Sequence, residues 1–450
     1  MKIFTTFYFE RYSFDDKTLE AKFCYSFDKD EFFEETISFK SDDFKVRDDL
    51  DLEIIDNLLF HLHIALGISY YKLYPTKDLV IETGFLNDEQ ISFWKKFYTN
   101  GLGEFFIKND MDPNGLLGFI SPHPNPLPLG EGVEGINNNP YVATSLPLGE
   151  IEGGLIEGGR KSLLMWGGGK DSIVSSILLE EKGENFTPYV FGKIDRIKEN
   201  TLQVLGKKAM LVKRKLSENL FKLNEAGYYN GHVPITGIIA FVSLVSAYLY
   251  NYKDIVLSNE KSADEENTIW KGLKINHQYS KGGEFERDFR DYVKKNISSD
   301  INYYSLLRDK YELEIAEIFA KKASKYFSSF SSCNRNFKIT GATQNTNWCC
   351  SCEKCAFVYL ILSPFLEDKK LIEIFGENLL DKVSLLETYK GLMGLSKYKP
   401  FECVGTYKES LESAYNTLKN YKNKIISGEI INLPYILKEL ESDIVKNYEK

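Results

Sequence analysis

Between Lys161 and Gly183 the chain reads KSLLMWGGGKDSIVSSILLEEKG: a short apolar run, three consecutive glycines, then a segment of helical spacing. A strand that turns through glycines straight into a helix is the building unit of an α/β layer. Three more apolar runs follow, TPYVFG, AMLVKR and KDIVLSN, each parted from the next by helix-like sequence. Short buried runs alternating with helices predict a parallel sheet with crossover helices over residues 160–325.

The flanks read differently. KIFTTFYF and EAKFCYSF alternate apolar and polar residues, and DLDLEIIDNLLFHLHIAL, from Asp49 to Leu66, has helical periodicity. Together they predict an α+β N-terminal domain over residues 1–120. Residues 326–450 are predicted mostly helical, interrupted by a cysteine cluster. Ser121 to Arg160 is rich in Pro and Gly and repeats LPLGE at Leu127–Glu131 and Leu146–Glu150. It resembles the translated repetitive palindromic elements found in some bacterial reading frames, and residues 121–159 are expected to be an insert or linker. A chain of 450 residues is also long enough for two or three domains.

Charge and cysteine usage narrow the function classes. A net charge of −9 disfavours a large polyanion, so no nucleic-acid partner is expected. The one basic stretch, GKKAMLVKRK, reads as a strand with solvated flanks. Gly231 to Tyr252 carries no Asp, Glu, Lys or Arg and has the length of a membrane span, but its Ser, Thr and Tyr content and the strand that follows predict a buried helix. Four of seven cysteines crowd between Cys349 and Cys355, unlike a disulfide framework. No signal peptide is evident at the start, and a cytoplasmic location is expected.

A glycine turn at a helix start offers free backbone N–H groups and a positive helix end, which suits phosphate. Neither G-x-x-x-x-G-K-[ST] nor G-x-G-x-x-G fits. GGGKDS, Gly167 to Ser172, instead resembles the Ser-Gly-Gly-x-Asp-Ser loop of the ATP pyrophosphatases, which cleave ATP between its α- and β-phosphates. The resemblance implies an adenine nucleotide alpha hydrolase-like core binding ATP and Mg²⁺ through Gly167, Gly168, Gly169, Lys170, Asp171 and Ser172, with Gly167 contributing only its backbone N–H. Gly167 stands where that loop has Ser.

Cys349, Cys352 and Cys355 form two consecutive C-x-x-C steps, with Cys333 upstream. Four thiolates suit a closed, structural Zn²⁺ site, an iron–sulfur cluster being the alternative, and Cys350 is a spare. The arrangement is similar to that of the 7-cyano-7-deazaguanine synthases. Three polar loops hold candidate reacting groups. In SNEKSADEENT, Glu260 and Lys261 follow the strand DIVL. NHQYSKGGEFER contributes His277 and Lys281, and KPFECVGT contributes Cys403.

WGGGKDS, SNEKS, NHQYSK, SSCN, CEKCAFV and KPFECVGT, with GISYYKLYP and GLGEF nearer the start, resemble the UDP-N-acetylmuramoyl-L-alanyl-L-glutamate epimerases of bacterial peptidoglycan synthesis. The resemblance implies a UDP-muramoyl dipeptide substrate whose terminal L-Glu is inverted to D-Glu, with ATP converted to AMP and pyrophosphate. It also implies why ATP is used: adenylating a carboxylate makes its α-C–H far more acidic. Lys170 or Lys261 would offset α-phosphate charge, and His277, Glu260, Lys281 or Cys403 would move the proton. The competing readings are a deazaguanine nitrile synthase-like or tRNA-modifying enzyme of the same fold, a non-catalytic nucleotide-binding protein, and an ATP-independent racemase using paired cysteines. Oligomeric state is left open.

Overall fold

The computed structural model describes residues 2–121, 161–337, 346–396, 402 and 404–449. The LPLGE-containing stretch and Cys403 lie outside these residues. In the N-terminal part, strands β1 (Thr6–Asp15), β2 (Glu20–Phe27) and β3 (Glu31–Ser38) precede helix α1 (Leu52–Tyr71), strand β4 (Asp78–Ile81), helices α2 (Asp88–Gly101) and α3 (Gly103–Lys108), and strand β5 (Gly118–Ile120). From residue 161 onward, β6 (Ser162–Met165), α4 (Lys170–Glu181), β7 (Phe186–Phe191), α5 (Arg196–Leu205), β8 (Met210–Lys215), α6 (Glu218–Glu225), α7 (Ile235–Leu249) and β9 (Asp254–Leu257) alternate as expected. A hairpin of β10 (Thr268–Trp270) and β11 (Leu273–Ile275), helix α8 (Gly283–Asn296) and β12 (Asn302–Ser305) complete the strands. The rest is helical: α9 (Glu312–Lys322), α10 (Glu353–Leu362), α11 (Asp368–Phe375), α12 (Leu386–Leu392), α13 (Tyr407–Ile426) and α14 (Tyr435–Tyr448).

Ten strands form one sheet in the order β12-β9-β6-β7-β8-β3-β2-β1-β4-β5. The half from β12 to β8 is entirely parallel. Numbered by itself, that half reads 3-2-1-4-5 from β8, so the winding reverses between β6 and β9. The N-terminal strands are not a separate sheet, because β3 pairs antiparallel with β8 through Ile37 opposite Arg214. Arg214 is therefore largely enclosed; its Nε donates to Glu35 at 2.7 Å and its Nη2 to Ser69 at 3.0 Å. The basic stretch GKKAMLVKRK is a core strand, with Lys208 paired to Asp43 at its solvated flank.

Successive residues of the parallel strands feed two different cores, which explains their unbroken apolar runs. Leu163, Tyr189 and Ile255 pack with α1, α2, α7 and α8, whereas Leu164, Val190 and Val256 pack with α4, α9, α10 and α13. Helix α7, the uncharged stretch, is buried in the first of these cores. Among the described residues α1 is the one helix long and apolar enough to cross a membrane, and 72% of its apolar window is buried within the protein. Its start is fixed by Asp51, whose carboxylate accepts from the N–H groups of Glu53 and Ile54.

Helix α1 also carries two fully interior histidines. His61 Nδ1 meets the Tyr292 hydroxyl at 3.0 Å, and His63 Nε2 meets the Cys24 carbonyl at 3.1 Å. Burial pushes both down to about 3. Above the ordinary value of 6.5 both folded and unfolded chains are neutral and nothing changes. Below it the unfolded chain gains protons that the folded chain refuses, so stability should fall as pH drops from 6.5 toward 3. The expected slope is about 1 kcal/mol per pH unit for each imidazole. Denaturant titrations at pH 7 and pH 5 check this; an unchanged difference between wild type and His61→Phe over that range would rule it out.

Candidate active site

The carboxyl ends of β6 and β9 meet where the sheet changes winding direction, and both loops predicted to matter lie there. After β6, Trp166 continues the ladder to the Tyr189 carbonyl at 2.9 Å, and its indole N–H donates to Thr201 Oγ1 at 3.1 Å. The chain then turns through Gly168, whose φ of +75° is one that side chains resist. A Cβ there would lie 3.0 Å from Thr201 Oγ1 and 3.1 Å from Ile197 Cγ2. Gly169 is the N-cap of α4, and no side chain caps that helix, so the first-turn N–H groups of Lys170, Asp171 and Ser172 face the loop. Ser172 turns its own hydroxyl back onto the Gly169 carbonyl at 3.0 Å.

Gly167 differs from its neighbours. It has no positive φ, and a Cβ would meet nothing within 4 Å. We therefore expect Gly167→Ser to fold like wild type and, if phosphate lies in the loop, to tighten ATP by about fivefold through one added hydrogen bond. Gly168→Ala should instead lose about 1–2 kcal/mol from backbone strain alone and weaken ATP binding. Calorimetric ATP titrations of the two variants separate these effects, and equal affinities would remove the loop from nucleotide binding.

Beside the loop, Asp171, Glu260 and Glu312 bring carboxylate oxygens within 4.8 Å of one another. Lys170, 1% exposed, turns its ammonium inward onto Asp171 and Glu312. Burial alone would lower Lys170, but the two carboxylates outweigh it and hold the ammonium charged. Burial pushes Glu312 up to about 8 and raises Glu260, the neighbouring acids adding to both. Burial and the neighbouring acids outweigh the charges of Lys170 and Lys354, so both shifts run upward. Asp171 is the most open of the three, with 29% of its side chain exposed.

Glu312 opens α9, and its backbone N–H donates to Glu409 at 2.5 Å. The same Glu409 oxygen accepts from Ser262 at 2.9 Å, while the other closes a capping box with Thr406. Arg308 ties the loop after β9 to the next, donating to the carbonyls of Glu260 at 3.0 Å and Lys281 at 2.7 Å. Lys261 lies apart from the acids, its ammonium 4.7 Å over the Tyr311 ring.

A second cluster stands across Lys281, whose charge acts on both Glu260 and His232. His277 Nδ1 bonds Glu104, a residue of α3 that is 4% exposed, and His232 Nδ1 lies 3.7 Å from the same carboxylate. The His232 and His277 rings are 4.5 Å apart. Burial would raise Glu104, but hydrogen bonding and charge from His277, with Lys108 on the other oxygen, hold it down at about 2. His232 is pushed down to about 4 by burial, then by the charge of His277. Glu402, from KPFECVGT, lies within the field of His277.

The four cysteines converge as their spacing predicted. Sγ separations are 3.4 Å for Cys352–Cys355, 3.7 Å for Cys349–Cys355 and 4.0 Å for Cys333–Cys352. Thiolates at about 2.3 Å from one tetrahedral ion lie about 3.8 Å apart, so the residues present fit a single metal ion. An iron–sulfur cluster spreads its ligands over several irons and needs wider spacing. Cys350 is outside the set, its thiol donating to the Phe375 carbonyl at 3.1 Å. Burial pushes that thiol up to about 12. The cluster also backs the glycine loop: the Ser331 N–H donates to the Gly168 carbonyl at 3.3 Å, two residues before Cys333.

The MurL N-terminal domain family matches residues 1–306, and the MurL C-terminal domain family matches residues 329–431. The chain belongs to the MurL family. A UDP-N-acetyl-alpha-D-muramoyl-L-alanyl-L-glutamate epimerase of Xanthomonas oryzae pv. oryzae is 34% identical over 90% of this chain and 84% of its own length. Enzymes of the same name from Salinispora tropica and a Micromonospora species are 34% and 32% identical over 90% of the chain. Like these MurL relatives, the protein is an epimerase. The MurL N-terminal family takes in both the glycine loop and the histidine cluster, and the C-terminal family takes in the cysteines.

Four residues of the site escaped the sequence reading: Glu104, His232, Glu312 and Glu409. Glu104 had a signal, an acid set among Gly and Phe in GLGEFF, and His232 opens the uncharged stretch. Glu409 shows only the Thr-x-x-Glu step of a helix cap at Thr406, and Glu312, in an ordinary amphipathic helix, carries none.

Proposed function

We propose that this MurL-family chain inverts the terminal L-Glu of UDP-N-acetylmuramoyl-L-Ala-L-Glu to D-Glu in peptidoglycan synthesis, using ATP to activate the α-carboxylate. The observation that carries the reading is the glycine turn opening an uncapped helix beside three carboxylates at the sheet's winding reversal. Phosphate fits the open N–H groups of α4, in a core of ATP pyrophosphatase type. Asp171, the most exposed acid, would reach outward to Mg²⁺ carried by the nucleotide, since that ion takes one or two carboxylates plus phosphate oxygens. Lys170 would hold Glu312 and Asp171 in place as their buried counter-ion, while Lys261, toward the surface, is the lysine able to meet the α-phosphate.

The chemistry follows from the substrate. Attack of the carboxylate on the α-phosphorus expels pyrophosphate and gives an acyl-adenylate, whose α-proton is far more acidic than that of a carboxylate. Removal of that proton and its return to the opposite face invert the centre, and water then releases AMP. Zinc is the ion we assign to the cysteines, where it would brace the loop and take no part in the reaction. The enzyme would act in the cytoplasm, where the nucleotide-linked substrate and ATP meet.

Incubation with the UDP-muramoyl dipeptide, ATP and Mg²⁺, followed by assays of AMP and glutamate chirality, tests this reading. AMP and D-Glu that both depend on ATP are expected. D-Glu formed without ATP would overturn the adenylation step, and AMP without D-Glu would overturn the substrate.

A further inference from the structure

We propose that His277 is the acid–base residue for one face of the glutamyl α-carbon, and that Glu104 and His232 are its positioning residues; this rests on the epimerase reading above. Three segments far apart in sequence meet here, from α3, from the approach to α7 and from the loop after β11, with ligand atoms within 4.8 Å of one another. Chance packing of two histidines and a glutamate would not require the glutamate to be buried. Glu104 is 4% exposed and bonded on both oxygens, by His277 and by Lys108.

A buried, ionised carboxylate on Nδ1 selects one tautomer. The Nδ1–H points to Glu104 and the lone pair resides on Nε2. The main chain that carries the ring is held as well, since the His277 backbone N–H donates to Asn267 Oδ1 at 2.8 Å and the neighbouring Asn276 side chain donates to the Ala263 carbonyl at 2.8 Å. His232, packed against the His277 ring, fixes its tilt. The ammonium of Lys108 on the same carboxylate and the charge of Lys281 nearby oppose a divalent ion at this spot, which favours a proton carrier over a metal site.

In one direction the Nε2 lone pair takes the α-proton and the C–H electrons move into the acyl carbonyl, giving an enolate; the imidazolium is held against Glu104. The Lys281 ammonium gives a proton to the other face of that carbon as the enolate electrons return. His277 then loses its proton to solvent and Lys281 regains one. The reverse direction exchanges their roles.

The test uses the full-length protein with each epimer of the substrate, ATP and Mg²⁺ in D₂O, reading AMP, inversion and α-deuterium separately. His277→Asn is expected to form AMP within a few-fold of wild type while inversion falls about 100- to 10,000-fold. It should lose α-exchange for one epimer and keep it for the other. Glu104→Gln should lower kcat at least about tenfold with little change in KM and move the acidic limb of the pH profile to lower pH, with partial rescue in Glu104→Asp. AMP formation by each variant reports that it is folded. Wild-type inversion by His277→Asn would overturn the assignment, and so would loss of AMP together with exchange, which would place His277 in adenylation. Failure of wild type to make AMP or D-Glu would overturn the epimerase mechanism itself, and the assignment with it.

Discussion

Replacing Lys170 with methionine should destabilise the protein by about 3–5 kcal/mol, because it leaves the buried Glu260 and Glu312, with Asp171 beside them, around a missing ammonium. The loss should depend on pH in a direction opposite to that of the core histidines. An acid whose folded value lies above its unfolded one holds its proton more tightly when folded, so stability falls as pH rises through the gap between the two. Glu312, already pushed up to about 8 with its lysine in place, would move further without it. Lys170→Met should therefore be markedly less stable at pH 8 than at pH 5, and Lys170→Met combined with Glu312→Gln should recover much of the difference. Urea denaturation at the two pH values decides the matter. A single variant within 1 kcal/mol of wild type at pH 8 would show that the ammonium is not the counter-ion.

The second large effect concerns the cysteines. Cys355, fully buried at the third residue of α10, should be indispensable for metal retention, and Cys355→Ser or chelation should unfold the C-terminal helices that pack around it. Cys350→Ser is the matched control, since its thiol bonds the Phe375 carbonyl and not the other sulfurs. Metal analysis should find one ion per chain in wild type and Cys350→Ser and none in Cys355→Ser. Loss of the ion should also weaken ATP binding at least tenfold, because Ser331 holds the Gly168 carbonyl and a Cβ on Gly169 would lie 3.0 Å from Ser332 Oγ. Unchanged ATP affinity in the metal-free protein would separate the two sites.

Features whose parts are close in sequence were legible beforehand. The strand, turn and helix around GGGKDS, and the cysteine pairs at three-residue steps, are fixed by local geometry and stand in the structure as read. Asp171 and Glu260 were each picked from their loops, and it is the adjacency of β6 and β9 that brings them together. Glu312 was invisible because nothing in DKYELEI distinguishes a buried acid at a helix start from a solvated one; only the packing of α9 against α4 and α13 decides it. His277 was picked out as a rare histidine between polar residues, but its carboxylate partner lies 173 positions earlier. The alternation in KIFTTFYF revealed strands and could not reveal their outer neighbour, since pairing depends on which other edge is left open.

That pairing of β3 with β8 matters during synthesis. Thr36 faces Lys215, a separation of 179 residues, which a ribosome takes roughly ten to forty seconds to add. For that interval the newly made β1–β3 meander displays an unpaired rim of backbone donors and acceptors, the kind of edge that recruits strands from other chains. Expression at lower temperature or with more chaperone should therefore raise the yield of this protein by protecting its first forty residues, well before any part of the glycine loop exists.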